Sequence, residues 1–345
     1  MFRPDRQDQK VFGWWADFDG CRHYRIAQPM DELNGYTTYV GMQGFNWITR
    51  HDRILPPDWR DYDVVVGQRV CNADAEDGPA QQWIRVCNDQ DVLSVYEIDD
   101  DLLNVSPSNP TYEFFSDGPT RGNIKACASS ADMVTVSTEP LREVMLKYNP
   151  NVHVLPNYID ISVLDIERPY SKDKLIIGWS GSGTHKTDFP VIGNSLRDVM
   201  DENPHTLFMT IGGAYGEGLP QDRVRRRGWI HATRRLYPHI ANFDIGIAPL
   251  LNDAFNASKS YIKVLEYAAL GIPCIASGPH GPYEDFIEHG VTGFIAETKD
   301  DWALYLHELV SRHDLRIDMG IAARKKAREF TTQKNLNHIA EVYVA

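Results

Sequence analysis

Ser258-Lys259-Ser260-Tyr261-Ile262-Lys263-Val264-Leu265-Glu266-Tyr267-Ala268-Ala269-Leu270-Gly271-Ile272-Pro273 is the stretch on which the fold turns. Wound as a helix, it gathers Ile262, Leu265 and Ala269 on one face and Lys259, Lys263 and Glu266 on another. Gly271 and Pro273 punctuate its end, and the apolar run PCIAS (273–277) follows as a strand. If the segment before Ile262 forms the helix start, its free N–H groups and its dipole offer a seat for a diphosphate, with the two lysines adding charge. Glu266, about two turns in, is placed to accept hydrogen bonds from the vicinal hydroxyls of a ribose. The same spacing also suits a solvated face carrying a Lys–Glu pair, and spacing alone does not choose between the two.

Outward from this unit, short β-branched runs alternate with amphipathic stretches along the whole chain, the mark of βα units and parallel sheets buried on both faces. Strands are expected at 11–15, 64–68, 93–98, 133–137 and 152–156, with helices at 22–34, 78–88, 121–130 and 139–148. The pattern restarts with strands at 174–180, 206–213, 244–250, 273–277 and 293–297. Its helices are expected at 188–202, 234–241, 261–270, 283–289, 300–312, 314–329 and 333–343. A chain of 345 residues exceeds what one core usually organises. The expectation is therefore an α/β protein of two doubly wound, Rossmann-like domains facing a central cleft. Residues 1–168 form the first and 169–330 the second, the polar stretch ERPYSKD (167–173) links them, and 331–345 is a helix packing back on the first domain.

Composition narrows the function classes. A formal charge of −13 argues against a broad grip on nucleic acid or anionic lipid, leaving Arg223–Arg227 (RVRRR) with Arg234 and Arg235 as the one local basic patch. Five scattered cysteines without a CxxC pair read as reduced thiols. No signal peptide and no 18-residue apolar span is recognisable, so no membrane insertion is expected and residence is expected to be cytoplasmic.

Three further loops carry candidate chemistry. Gly178-Trp179-Ser180-Gly181-Ser182-Gly183-Thr184-His185-Lys186 follows the first strand of the second domain. Its glycines allow a phosphate to approach the backbone, Ser180 and Gly181 line that approach, and His185 and Lys186 stand beside it. Asp17 to Arg25 (DFDGCRHYR) lies between the first strand and the first helix. There Gly20 permits a close approach, Arg22 and Arg25 are candidates for a ligand anion on the acceptor side, and His23 is a candidate for proton transfer. Glu97-Ile98-Asp99-Asp100-Asp101 ends a buried strand, where clustered carboxylates are costly unless they face a cleft.

Several of these motifs, in this order, resemble family-four retaining glycosyltransferases, the "glycosyl transferases group 1". KSYIKVLEYAALGIPCIAS (259–277) and GPHGPYEDFIEHGVTGFIAE (278–297) are similar to the signature region in which a Glu, seven intervening residues and a second Glu open the donor-binding helix. NVHVLPNYID (151–160), DIGIAPL (244–250) and GVTGF (290–294) resemble further segments of the pattern.

The resemblance implies a GT-B fold and transfer of a sugar from a nucleotide diphosphate donor, a UDP-sugar first, with retained configuration. It implies Glu266 on the ribose, the diphosphate among Gly181, Lys186, Lys259 and Lys263, and Ser258 and Ser260 at the donor. Ser258 stands where the family has its first Glu, which touches the donor sugar. Asp99 and Asp100 occupy the place of a His–Asp pair near that sugar, and with His23 and Lys186 they are the expected catalytic set. Asp99-Asp100-Asp101 also spells the DxD that holds Mg²⁺ or Mn²⁺ in the unrelated GT-A fold, but the GT-B motifs do not favour a metal.

The segments GCRHYR and YEIDDDL resemble a subgroup common in bacteria and bacteriophages. The acceptor, whether DNA, protein or glycan, stays open, and for a phage the compartment would be the host cytoplasm. The alternatives are a nucleotide-sugar epimerase of GT-B fold and a noncatalytic nucleotide-sugar-binding protein.

Overall fold

The computed structural model describes residues 9–39, 41–42, 59–71, 80–169, 173–279 and 281–343. The chain divides into two compact units, one built from Met1–Pro107, Thr111–Tyr158 and Thr332–Ala345, the other from Ser108–Pro110 and Ile159–Thr331. The division at Tyr158 falls ahead of the polar stretch 167–173, of which 170–172 lie outside the described residues.

The first unit is a six-stranded sheet of β1 (Val11–Trp15), β2 (Tyr36–Tyr39), β3 (Val64–Gln68), β4 (Leu93–Ile98), β5 (Met133–Val136) and β6 (Val152–Val154), in the order β2-β1-β3-β4-β5-β6. Every pairing is parallel. Strand β2 was not anticipated, because YTTY is short, half polar and set at the sheet edge, where no continuous apolar run is required. The helix expected over 22–34 is composite, an α-turn Gly20–Arg22 and a π-turn His23–Ala27 leading into Gln28–Glu32. The helix expected over 78–88 spans Gln82–Asp89, and positions 78 and 79 lie outside the described residues. The helix Leu336–Tyr343 buries Ile339, Val342 and Tyr343 in this unit, and the Tyr343 hydroxyl donates to the Arg25 carbonyl at 2.9 Å.

The second unit repeats the design with β7 (Leu175–Gly181), β8 (Thr206–Gly212), β9 (Val224–Arg227), β10 (Ile245–Ala248), β11 (Cys274–Ser277) and β12 (Phe294–Ala296), in the order β12-β11-β10-β7-β8-β9. These strands too are all parallel. The basic patch read from the sequence is largely the edge strand β9, in which only Val224 is buried. Residues 188–202 are not one helix but a 3₁₀ turn Phe189–Ile192 and the helix Ser195–Glu202, broken at Gly193, whose φ of +62° no L side chain adopts readily. The helix expected over 283–289 is a series of turns. One cluster built around Trp179, Phe208, Ile245, Trp302 and Leu306 forms the core.

Both sheets are doubly wound, so each has a point where the strand order reverses: between β1 and β3 in the first unit, and between β7 and β10 in the second. Crevices at the carboxyl ends of such strand pairs are where open α/β sheets receive ligands.

Candidate donor site

At the second unit's reversal point, the loop after β7 meets the residues after β10 and the helix Ile262–Ala269. That helix is buried from Lys263 through Ala269, so its polar face is not the solvated face that spacing alone allowed. The Lys263 ammonium donates to the Ser180 carbonyl and sits 4.8 Å from the Trp179 ring centroid. Gly181 makes this approach possible, because a Cβ there would lie 2.7 Å from Lys263 Nζ and 2.8 Å from the Trp179 ring. Tyr267, from the same helix, accepts the Ser180 N–H at 3.0 Å through its hydroxyl.

A buried carboxylate that the sequence reading overlooked joins the two loops. Asp188 is 3% exposed, and its Oδ1 accepts from the Leu251 N–H at 2.8 Å and from Asn256 Nδ2 at 3.2 Å. Its Oδ2 lies 2.7 Å from His185 Nδ1. The residue was legible only as a polar position near a helix start; nothing local shows that loops 63 and 68 residues on will converge on it.

The site is electropositive yet poorly solvated. Burial pushes the Lys263 ammonium down to about 8; Glu266 opposes the shift and Lys259 adds to it. Burial and then Lys263 push the His185 imidazole down as well, against its hydrogen bond to Asp188, so that it is neutral at pH 7. A lysine whose positive charge is disfavoured by its surroundings is poised to gain most from an arriving anion.

In the first unit, the carboxyl ends of β1, β3 and β4 converge on Arg69, which the sequence reading also missed. Arg69 pairs with Asp99, with Asp100 at 2.9 Å and with Asp17 at 4.0 Å. Its φ of +49° is unusual for a side chain that large, and its N–H donates to the Glu97 carbonyl at 2.8 Å. Asp99 and Asp100 are thus held by a guanidinium within their own unit. Asp101 turns elsewhere, accepting from Asn104 Nδ2 at 2.8 Å, so the three aspartates do not present a common face. Among the described residues no group of three or more His, Cys, Asp or Glu side chains is arranged to hold a metal ion.

The structure brings Ser180, Gly181, His185, Lys263 and Glu266 into one region, with Lys259 near enough to act on Lys263 and His185 by charge. Lys186 is exposed and makes no ion pair among the described residues, so Lys263 rather than Lys186 is the cation built into the loop. Lys259 lies 4.3 Å from the Phe255 ring centroid, Ser260 is half-buried beside it, and Ser258 is buried with its hydroxyl 3.5 Å from the Ala254 carbonyl.

Arg25 is corrected outright. It is fully buried, donating to Glu97 at 2.7 Å, to Asn157 at 3.1 Å and to the Leu155 carbonyl, so it braces the first unit and does not face an acceptor. Arg22 lies over the Trp15 ring at 4.2 Å, half-buried. Gly20 opens the helical turn, but a Cβ there would meet only the Tyr24 ring at an ordinary 3.7 Å, so packing does not demand glycine. His23 is half-buried, its ring edge-on to Tyr24 at 4.9 Å.

Comparison with known proteins fits this layout. Residues 177–312 match the family described as "Glycosyl transferases group 1". A curated relative from Dictyostelium discoideum, GDP-Man:Man(3)GlcNAc(2)-PP-Dol alpha-1,2-mannosyltransferase, is 33% identical over 141 residues, which are 38% of this chain. The match spans only 27% of that relative's length. Among solved structures, Anabaena HepE in complex with UDP-glucose superposes with a TM-score of 0.65 at 16% identity, covering 96% of this chain and 98% of that one. WaaG, a glycosyltransferase involved in lipopolysaccharide biosynthesis, superposes with a TM-score of 0.62 at 12% identity, covering 97% and 100%. The chain has the two-domain α/β fold of GT-B glycosyltransferases, and the match to the group 1 glycosyltransferase model lies within its second unit.

Proposed function

We propose that the protein transfers a sugar from a nucleotide diphosphate donor, a UDP-sugar first, to an acceptor hydroxyl on DNA, protein or glycan, with retention of anomeric configuration, in the cytoplasm and without a metal cofactor. The observation that carries the reading is Lys263. Its buried ammonium meets the Ser180–Gly181 loop at the strand-order reversal, one turn ahead of Glu266, inside the segment that matches the group 1 family. Loss of the nucleotide diphosphate separates charge, and cations fixed in place before the reaction stabilise that charge without reorganising. Lys263, with Lys259 and the N-terminus of the helix Ile262–Ala269, supplies them, and Glu266 accepts from the ribose hydroxyls. Asp99 and Asp100, oriented by Arg69, are the carboxylates of the first unit assigned to orienting the acceptor.

Calorimetry and thermal shift with UDP-, GDP-, ADP- and dTDP-sugars on the wild type and on Glu266→Ala test this. One nucleotide should stabilise the wild type, and the variant should stay folded but bind about tenfold more weakly, as expected for a hydrogen bond to a charged group. Equal binding by the variant overturns the ribose assignment. Binding without turnover toward any acceptor would favour a noncatalytic sugar-nucleotide binder, for which Ser258 in place of the family's first Glu is the supporting feature. Turnover of donor without acceptor would favour an epimerase.

A further inference from the structure

We propose that Asp188 is a positioning residue that fixes the tautomer of His185, so that a bare Nε2 accepts a hydrogen bond from a hydroxyl of the bound ligand and does not contact phosphate. The inference rests on the donor site proposed above. A carboxylate offers only lone pairs, so of the two atoms 2.7 Å apart it is His185 Nδ1 that must carry the hydrogen and donate. In a neutral imidazole the other nitrogen then has none. Neutrality follows from the surroundings: burial, Lys263 and Lys259 all disfavour a second proton, while Asp188 alone favours it.

The geometry also gives Nε2 its direction. Asp188 lies inside the protein at 3% exposure, the His185 side chain is 14% exposed, and its ring stands edge-on to Trp179 at 5.7 Å. The nitrogen opposite Nδ1 is therefore turned outward, and it makes no hydrogen bond among the described residues. Phosphate oxygens are themselves acceptors and would repel it. Among the sugar, ribose and diphosphate of the donor, only a hydroxyl can satisfy it. Next to two lysines that read phosphate by charge, an uncharged acceptor reads hydroxyl position, which is where one sugar differs from another.

Asp188→Asn reverses the tautomer without unlatching the loops. The amide oxygen must stay toward the two donors, Leu251 N–H and Asn256 Nδ2, so the amide NH₂ turns to His185 Nδ1 and the ring hydrogen moves to Nε2. Nitrogen-15 shifts of the His185 ring, recorded at pH 7 on the ligand-free full chain, should show Nδ1 protonated in the wild type and Nε2 protonated in the variant. A bare Nδ1 or a doubly protonated ring in the wild type overturns the proposal, and this readout does not depend on any donor binding.

Titrations with pyrophosphate, UDP, 2′,3′-dideoxy-UDP and UDP-glucose then locate the hydroxyl, using Asp188→Asn and His185→Ala. About tenfold weaker UDP-glucose binding with UDP unchanged assigns the sugar hydroxyl. An equal loss for UDP and UDP-glucose, absent for the dideoxy nucleotide, assigns the ribose. A comparable loss with pyrophosphate, or no loss with any ligand, refutes it. Failure of the wild type to bind any nucleotide, with the tautomer as stated, would instead remove the donor-site reading.

Discussion

Replacing Lys263 by methionine should make the ligand-free protein more stable and the donor site blind. The side chain is 8% exposed, and burial holds its ammonium down from 10.5 to about 8. A drop of that size means that the folded state carries the charge at a cost of about 3 kcal/mol at pH 7. Methionine keeps the length and the contact with Trp179 but loses the hydrogen bond to the Ser180 carbonyl, worth about 1 kcal/mol, leaving a net gain of about 2 kcal/mol.

The pH dependence has a definite sign. The unfolded chain holds the proton more tightly than the folded one, so wild-type stability rises with pH between about 8 and 10.5 as the folded state is relieved of its charge. The advantage of Lys263→Met should therefore be largest below pH 8 and vanish above 10.5. Urea unfolding at pH 7 and pH 10 measures this. With UDP at about a hundred times its Kd, the wild type gains roughly 2.7 kcal/mol, and the variant should gain almost none. A ligand-free variant less stable than the wild type would refute the account of the buried charge. A retained UDP response would show that the diphosphate lies elsewhere.

Arg25→Met should cost about 3–5 kcal/mol in urea unfolding, because it strips the fully buried Glu97, whose carboxyl burial already pushes up to about 7, of the guanidinium that opposes that shift, so that a proton must then take its place. Arg25→Met/Glu97→Leu should recover most of the loss, and neither variant should alter the UDP thermal shift; a changed shift would return Arg25 to the ligand. Gly181→Ala should lower stability by about 1–3 kcal/mol and weaken UDP binding, since its Cβ meets both the Lys263 ammonium and the fully buried Trp179 ring. Calorimetric binding equal to wild type would show that the loop accommodates the methyl group elsewhere.

What a sequence can reveal here depends on range. The alternation of β-branched runs with amphipathic stretches requires both faces of each sheet to be covered, so the α/β class and most strands could be read locally. Two of the four edge strands escaped that logic: β2 and β9 have one neighbour each, and neither YTTY nor VRRR is apolar throughout, whereas the edges β6 and β12 are apolar enough to be read. Gly193 was in plain view, but its positive φ, which divides the expected helix, depends on how the turn before Ser195–Glu202 is packed.

The sequence by itself determined that Lys263 and Glu266 share a helix face, because i and i+3 are neighbours wherever a helix forms. It also placed a glycine-rich loop at the end of a strand. Only the tertiary structure decided that this face is buried, that the loop carbonyl of Ser180 receives Lys263, and that Asp188 ties His185 to Leu251 and Asn256. It alone turned Arg25 inward to Glu97 and brought Arg69 to Asp99 and Asp100. Spacing along a chain fixes what a helix or strand presents, whereas which charges neutralise one another is set by contacts between residues tens of positions apart, and those exist only once the sheets have formed.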